Sequence, residues 1–250
     1  MPEPGPDRLS RPAQVAEAIK TWVVEQNMGP GDRLPNEGEL IERFGMAKGT
    51  IREAMRILEA QGLVKTRTGP GGGSFVHAVS EVRARALLAN YFYFKDLTVS
   101  DIYQLRIALE PEMAAGLAGN LDQEQLRALA DKLADYENPP GSAEEERAQH
   151  VASLEFHALL ASYAENPLLS FVIGFMAQML SDLTVYRRLY EPRNYDLWRM
   201  GRDHQEALLS ELRRGDGAAA HAIMKEHMEA ARDFMVRQEA EMERRFLEGR

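Results

Sequence analysis

The residues of this chain best suited to act on a large polyanion are Lys48, Gly49, Thr50, Arg52 and Arg56, which share one face of a short helical segment. Arginine guanidinium groups fork onto base edges or phosphates, lysine supplies a point charge, and small residues leave room for close approach. The opposite face carries Ile51, Met55 and Leu58 at helical spacing, so that side is the buried one. This helix is expected from about Ala47–Lys48 to Gln61-Gly62. A shorter helix precedes it, with Asn36 as N-cap, Glu39 three residues on, apolar Leu40, Ile41 and Phe44, and Gly45 as terminator. Two helices across a tight glycine turn, the second basic at its start, are what entry into a DNA major groove requires. Strands over Leu63–Arg67 and Ser74–Val76 then flank a glycine-rich tip from Thr68 to Gly73. This hairpin reads as a wing that adds Arg67 and Gly69 to the candidate DNA contacts.

The elements that must hold this face begin with an amphipathic helix over Ala13–Gln26, packing Val15, Ala16, Ile19, Trp22 and Val23 inward. Residues 1–10 read as a flexible arm, residues 11–78 as the DNA-binding domain and 79–96 as a helical linker with Tyr91, Phe92, Tyr93 and Phe94 at its end. These aromatics are expected at an interdomain or dimer surface. Residues 97–250 carry helical patterning throughout. The expected helices are Ser100–Asn120, Asp122–Glu137 with the stripe Leu126, Leu129 and Leu133, Ala143–Tyr163, a helix from Asn166-Pro167 to about Leu189, Tyr195–Arg214, and a last one reaching about Phe246. The fold class is therefore mainly α: a winged helix-turn-helix with a small hairpin, followed by an all-α bundle of six or seven helices.

Charge divides along the same line. The net charge is −9, yet residues 1–78 hold ten Lys/Arg and ten Asp/Glu, so the remainder carries the whole excess. Within Lys48–Arg67, five basic residues face two acidic ones, enough for a local phosphate-binding face. The absence of cysteine excludes a disulfide framework and a thiolate metal site. No membrane-length apolar run and no secretory signal are apparent, so a cytoplasmic protein is expected, with no membrane partner.

With these parts in order, Leu34–Val76 resembles the winged helix-turn-helix of the GntR family of bacterial transcription regulators. The resemblance rests on Pro30-Gly31-Asp32-Arg33-Leu34-Pro35, on Ile51-Arg52-Glu53-Ala54, on a Gly-Leu-Val strand and on a glycine-rich wing ending in Phe-Val. Relatives commonly carry Ser or Thr and then Arg where this chain has Ala47 and Lys48, and Arg where it has Gly38. The helical half resembles the effector domain of the FadR subfamily through Leu105-Arg106-x-x-Leu109-Glu110, Phe156-His157, Asn166-Pro167-Leu168-Leu169, Leu208-Leu209 with Gly215-Asp216, and His227.

That resemblance implies a pocket at the bundle centre, in which many relatives hold a divalent metal with one Asp and three His, and the metal holds a carboxylate effector. Here the matching positions are Ser153, His157, Gln205 and His227, so two ligands are replaced. The first expectation is a metal-free pocket in which these four side chains hydrogen-bond the effector directly. The second is a divalent metal such as zinc on His157 and His227, with His204 as a candidate third ligand after a helix rotation. The third is a polar core whose members satisfy one another. Arg106 is the candidate anion anchor, against an intrahelical pair with Glu110 at i+4. Tyr186 and Arg187 are candidates to line the pocket, against a surface location, and His77 and His221 are expected to be exposed.

The implied function is a ligand-responsive regulator, not an enzyme. It would act as a repressor that binds a pseudo-palindromic DNA operator as a homodimer and is released or repositioned by a small carboxylate metabolite. The alternatives are a metal-dependent enzyme acting on a small acid, which would need a full ligand set and an adjacent general base, and a scaffold with an inert bundle.

Overall fold

The structure, a computed structural model, describes residues 9–95, 97–191 and 193–247. The arm expected over residues 1–10 lies, up to residue 8, outside the described residues. Two compact units are present, residues 1–86 and 87–250.

In the first unit, α1 (Arg11–Glu25) starts at Ser10, whose hydroxyl accepts from the Ala13 N–H, with Pro12 in the first turn where a missing N–H costs nothing. Its buried face, Val15, Ala16 and Ile19, packs on Ile51, Ala54 and Leu58 of α3 (Lys48–Gln61). Trp22, expected inward, is half-buried, and Arg43 stacks its guanidinium 4.8 Å from the ring centroid. Helix α2 (Glu37–Phe44) opens with a reciprocal capping box. The Glu39 N–H donates to Asn36 Oδ1 at 3.1 Å, and the Asn36 N–H donates to Glu39 Oε2 at 2.7 Å. Gly45, at φ 62°, closes α2 in the left-handed conformation that glycine adopts without a Cβ penalty.

Strands β1 (Val64–Arg67) and β2 (Gly73–Val76) pair antiparallel, Val64 opposite Val76 and Arg67 opposite Gly73. A third segment lies on the free edge of β2: Gly31 N–H donates to Val76 O, Leu34 N–H to Ser74 O, and Arg33 bridges Phe75. The Pro30–Pro35 run therefore serves as a sheet edge, and the expectation of a two-strand wing is extended by this contact. It also seats Leu34, which is buried in the core.

In the second unit, the end of α4 (Glu81–Tyr93) precedes six helices: α5 (Val99–Leu117), α6 (Gln123–Ala134), α7 (Ala143–Ser162), α8 (Pro167–Tyr186), α9 (Tyr195–Arg214) and α10 (Gly217–Leu247). Caps at Thr98, Asp122, Ser142, Asn166 and Asn194 satisfy the first-turn N–H groups of α5 to α9. Helix α5 is the central one, packed on α8, α9 and, most extensively, α10, while α7 lies on α8 and α6. Met224, Met228 and Met235 carry the buried stripe of α10 and interlock with Phe156, Leu160 and Leu180 in one core. Helix α8 is long and apolar enough, by length and composition, to cross a membrane, although Ser170, Gln178, Ser181, Asp182 and Thr184 interrupt its apolar run. It is nevertheless an element of this bundle, burying Ile173, Met176, Ala177 and Leu180.

Candidate functional site

At the DNA-binding face, α3 follows Ala47, whose side chain makes no capping hydrogen bond to the first turn. Lys48, Arg52 and Arg56 are all exposed. All three are already engaged. Glu37, in the first turn of α2, accepts from Arg52 Nε at 2.7 Å and lies 3.2 Å from Lys48 Nζ. The Arg52 hydrogen bond leads the effects that hold the Glu37 carboxyl below its ordinary value. Arg56 pairs with Glu53 within its own helix. Gly49 is exposed, and a Cβ there would meet nothing within 4 Å, so packing does not require glycine. Thr50 is half-buried, its N–H bonded to the Ala47 carbonyl.

On the wing, Arg67 lies over the Phe75 ring at 4.9 Å. Gly69 has φ 94°, and the Gly72 N–H closes a turn onto the Gly69 carbonyl at 2.8 Å. A Cβ on Gly72 would sit 2.6 Å from the Arg67 carbonyl oxygen, so this close approach needs glycine. Arg33 Nη2 donates to the Gly72 carbonyl at 2.7 Å and ties the tip to the Pro30–Pro35 edge.

In the bundle, Arg106, Ser153, His157, Gln205 and His227 converge. Glu110, fully buried, is their hub: one oxygen accepts from Arg106 Nε and the other lies 2.6 Å from His157 Nδ1. Burial alone would raise the Glu110 carboxyl. The Arg106 charge and His157 outweigh it and hold the group at about 2, so it is ionised. Burial lowers His157 despite Glu110, and burial with the neighbouring His157 and His204 lowers His227 further, so both imidazoles are neutral. An ionised Glu110 fixes the proton of His157 on Nδ1 and leaves its Nε2 as an acceptor.

That acceptor is taken. Gln205 Nε2 stands 2.9 Å from His157 Nε2 and also donates to Ser153 Oγ at 3.2 Å, while Gln205 Oε1 accepts from the Tyr136 hydroxyl. The Tyr136 contact fixes which end of the amide faces His157. His227 Nε2 lies 3.1 Å from the same His157 nitrogen, with the two rings stacked at 5.1 Å. His204 packs edge-on against His227 at 5.4 Å.

A metal does not fit these residues as they stand. Gln205 caps the lone pair His157 would offer, Ser153 is engaged by the same amide, and the remaining donors are neutral. Among the described residues, no group of three or more His, Cys, Asp or Glu is placed to hold a metal ion. The intrahelical Arg106–Glu110 pair forms and the guanidinium lies over the Tyr103 ring at 5.1 Å, yet Nη2 is buried with no hydrogen-bond acceptor placed on it. Arg106, His157 and His227 border a partly open cavity of about 60 Å3 among α5, α7, α9, α10 and the turn after α6.

Tyr186 stands outside it, and the expectation that it lines the pocket is corrected. It is 81% exposed at the end of α8 and borders a separate groove with Phe92 and Leu97. Successive α-helical residues turn by about 100°, and Arg187 rather than Tyr186 continues the inward row of Leu180 and Thr184. Arg187 itself pairs with Glu239 and the Leu97 carbonyl, not with the cavity. His77 is exposed and holds the Gly62 carbonyl, and His221 faces Glu112 at 3.3 Å.

Sequence reasoning missed Glu110 as a hub, Tyr136, Glu146, Gln149 and Glu37. Tyr136 had a readable signal, since it extends the stripe Leu126, Leu129, Leu133 by one further step of three. Glu110 had a weaker one, an acid one turn after Arg106 among the mostly apolar positions of α5 that face inward.

A winged helix-turn-helix and a helical bundle around a small polar cavity, joined in one chain, define a DNA-binding transcription regulator with an effector domain, not an enzyme. Comparison with known proteins agrees: residues 12–76 match "Bacterial regulatory proteins, gntR family" and residues 101–230 match the FCD domain. The chain belongs to the GntR family of transcription regulators, with the FCD-type C-terminal domain consistent with the FadR subfamily. It is similar to the uncharacterized HTH-type transcriptional regulator YdhC of Bacillus subtilis, 26% identical over 89% of this chain and 85% of that protein. It is also similar to the Uxu operon transcriptional regulator of Escherichia coli, 27% identical over 90% of this chain and 87% of that one. Among solved structures, Streptococcus agalactiae GntR aligns with a TM-score of 0.62 at 25% identity, covering 89% of this chain and 99% of that chain.

Proposed function

We propose that this regulator is a cytoplasmic repressor that binds a pseudo-palindromic operator as a homodimer and is released or repositioned by a small carboxylate metabolite bound in the bundle cavity without a metal. In this reading Lys48, Gly49, Thr50, Arg52 and Arg56 enter the major groove and Arg67 and Gly69 follow the backbone from the wing. Arg106, Ser153, His157, Gln205 and His227 form the effector site. The effector acts by binding one arrangement of the protein more tightly than another.

The observation that carries the effector reading is Arg106 Nη2, buried at the cavity wall with no hydrogen-bond acceptor, while the rest of the guanidinium is held by Glu110 and the Tyr103 ring. A buried guanidinium nitrogen without an acceptor costs more than a neutral one, and a carboxylate supplies that acceptor with the strength of a charge-assisted bond. Support for a metal-free site comes from the Gln205 amide, which occupies the lone pair that a metal would need. The test combines elemental analysis of the purified protein with thermal-shift measurements against short carboxylates. Metal well below one ion per chain together with a carboxylate-induced shift is the expected result; stoichiometric zinc refutes the metal-free site.

For the DNA face, Arg52→Ala is expected to weaken operator binding by about 1–3 kcal/mol and to relax base preference at the position it reads. Undiminished preference in a gel-shift series against altered operators removes Arg52 from that role.

A further inference from the structure

We propose that Glu37 is a positioning residue for base reading: it holds the Arg52 guanidinium end-on, so that Arg52 selects a guanine in the operator. The inference rests on the entry of α3 into the major groove and adds which base one side chain reads and what aims it.

Glu37 stands where a contact is held rigid. It is the first residue of α2, bracketed by the reciprocal bonds between Asn36 and Glu39 that form the capping box. Its side chain leaves α2 and reaches α3. One carboxylate oxygen accepts from Arg52 Nε at 2.7 Å, and the other lies 3.2 Å from Lys48 Nζ.

A guanidinium grips a pair of acceptors in two ways, side-on through Nε and one terminal nitrogen or end-on through both terminal nitrogens. The Glu37 carboxylate takes Nε and so removes the side-on fork. Among the described residues neither Arg52 Nη1 nor Nη2 has a hydrogen-bond acceptor, and the side chain is 59% exposed, so the end-on fork is open. Arg56, one turn on, is the contrast. Its Nη1 is committed to Glu53 at 3.2 Å, which breaks the end-on fork and leaves its Nε side for a phosphate.

In the major groove only guanine shows two acceptors, O6 and N7, on one base edge. Adenine sets an acceptor beside an amino donor, thymine an oxygen beside a methyl group, and cytosine shows an amino donor. An end-on fork therefore satisfies both terminal nitrogens on guanine alone. Phosphate is the competing acceptor, and the carboxylate weighs against it. Arg52 and Glu37 together carry no net charge, and a phosphate gripping Arg52 would meet Glu37 as a like charge. An arginine freed from Glu37 regains its rotamers, and the DNA backbone becomes its easiest partner.

The experiment enriches sites for the full-length protein from a randomised duplex library. Gel shifts at one fixed salt concentration then compare an enriched site with its single-base variants and with an unrelated duplex. Lysine lacks the fork, so the position that Arg52→Lys relaxes is the one Arg52 reads, and guanine is expected there by about ten-fold or more over the other bases. Glu37→Met should cut that preference several-fold while affinity for the unrelated duplex rises. A fold defect in α2 would instead weaken both. Glu37→Gln keeps an oxygen for Arg52 Nε and should retain part of the preference. Added to Arg52→Lys, Glu37→Met should lower the preference at that position no further; a further fall overturns Arg52 as its target. The proposal is also overturned by a base other than guanine at that position or by an undiminished preference in Glu37→Met. Equal loss of specific and unrelated binding, or a glutamine variant no better than the methionine one, overturns it as well. An enriched site that Arg52→Lys leaves unrelaxed overturns this inference alone, whereas a library that enriches no site overturns operator reading by α3 with it.

Discussion

Replacing Glu110 by glutamine keeps the shape of the side chain and removes its charge, which isolates the hub of the bundle's polar cluster. In the fold this carboxyl is held at about 2 against an ordinary 4.5, because the Arg106 charge and His157 overcome a burial that would raise it. A difference of that size corresponds to about 3 kcal/mol of stability at neutral pH. A second route gives a similar magnitude, since removing one partner of a buried ion pair strands the other and costs about 3–5 kcal/mol. Glu110→Gln is therefore expected to lower the unfolding free energy at pH 7 by about 3 kcal/mol, measured by denaturant titration of the helical circular dichroism signal. The double variant Arg106→Met/Glu110→Gln should recover much of that loss, because no unpaired charge stays buried. The pH dependence has a fixed sign. A depressed carboxyl contributes its stability above about 4.5 and loses it as pH falls from there toward 2, so the gap between wild type and Glu110→Gln should narrow by about 1 kcal/mol between pH 6 and pH 4. A loss under about 1 kcal/mol at pH 7, a gap that does not narrow in acid, or a double variant no better than the single one would refute the hub.

Three further perturbations follow from other sites. His150 is held at about 4 by burial and by the Arg106 charge, so the unfolded chain binds its proton first as pH falls below 6.5. After allowance for its partial exposure, His150→Asn should flatten the stability loss between pH 7 and pH 5 by on the order of 1 kcal/mol, read from denaturation at both pH values. Ala47→Ser supplies the missing cap of α3 and should raise the stability of the DNA-binding unit by about 1 kcal/mol in calorimetry; no gain would mean that the first-turn N–H groups are already satisfied. Gly72→Ala drives a Cβ against the Arg67 carbonyl and should weaken operator affinity several-fold in gel shifts while the bundle's melting stays unchanged.

The local grammar of the chain was legible in the sequence. Asn36 with Glu39, Gly45, Asp122 with its following turn and Asn166-Pro167 mark helix ends through contacts spanning four residues or fewer, so spacing alone reveals them. The buried stripes of α1, α3 and α6 were legible for the same reason. Contacts between distant segments were not. Arg33 meets Phe75 across some forty residues, and Tyr136 meets Gln205 across sixty-nine, so neither is encoded in any local period. The resemblance to relatives brought Ser153, His157, Gln205 and His227 to one place, and they do converge. It could not show that a glutamine amide engages the histidine, because that depends on side-chain orientation. Tyr186 failed through helix phase: one residue is about 100°, enough to turn a pocket residue into a surface one.

The carboxylate of Glu37, placed between Lys48 and Arg52, bears on how ionic strength acts on this protein. Basic residues normally reach DNA by displacing mobile cations into bulk solution, and the entropy of that release makes affinity fall steeply with added salt, by about 0.9 in the logarithmic slope for each phosphate neutralised. Glu37 is an anion tethered to the same surface, so the net positive charge this face brings to the phosphates, and with it the number of cations released, is smaller than its basic residues alone would give. Operator binding should then depend less on salt than the number of exposed basic residues would suggest, and replacing Glu37 by glutamine should steepen that dependence.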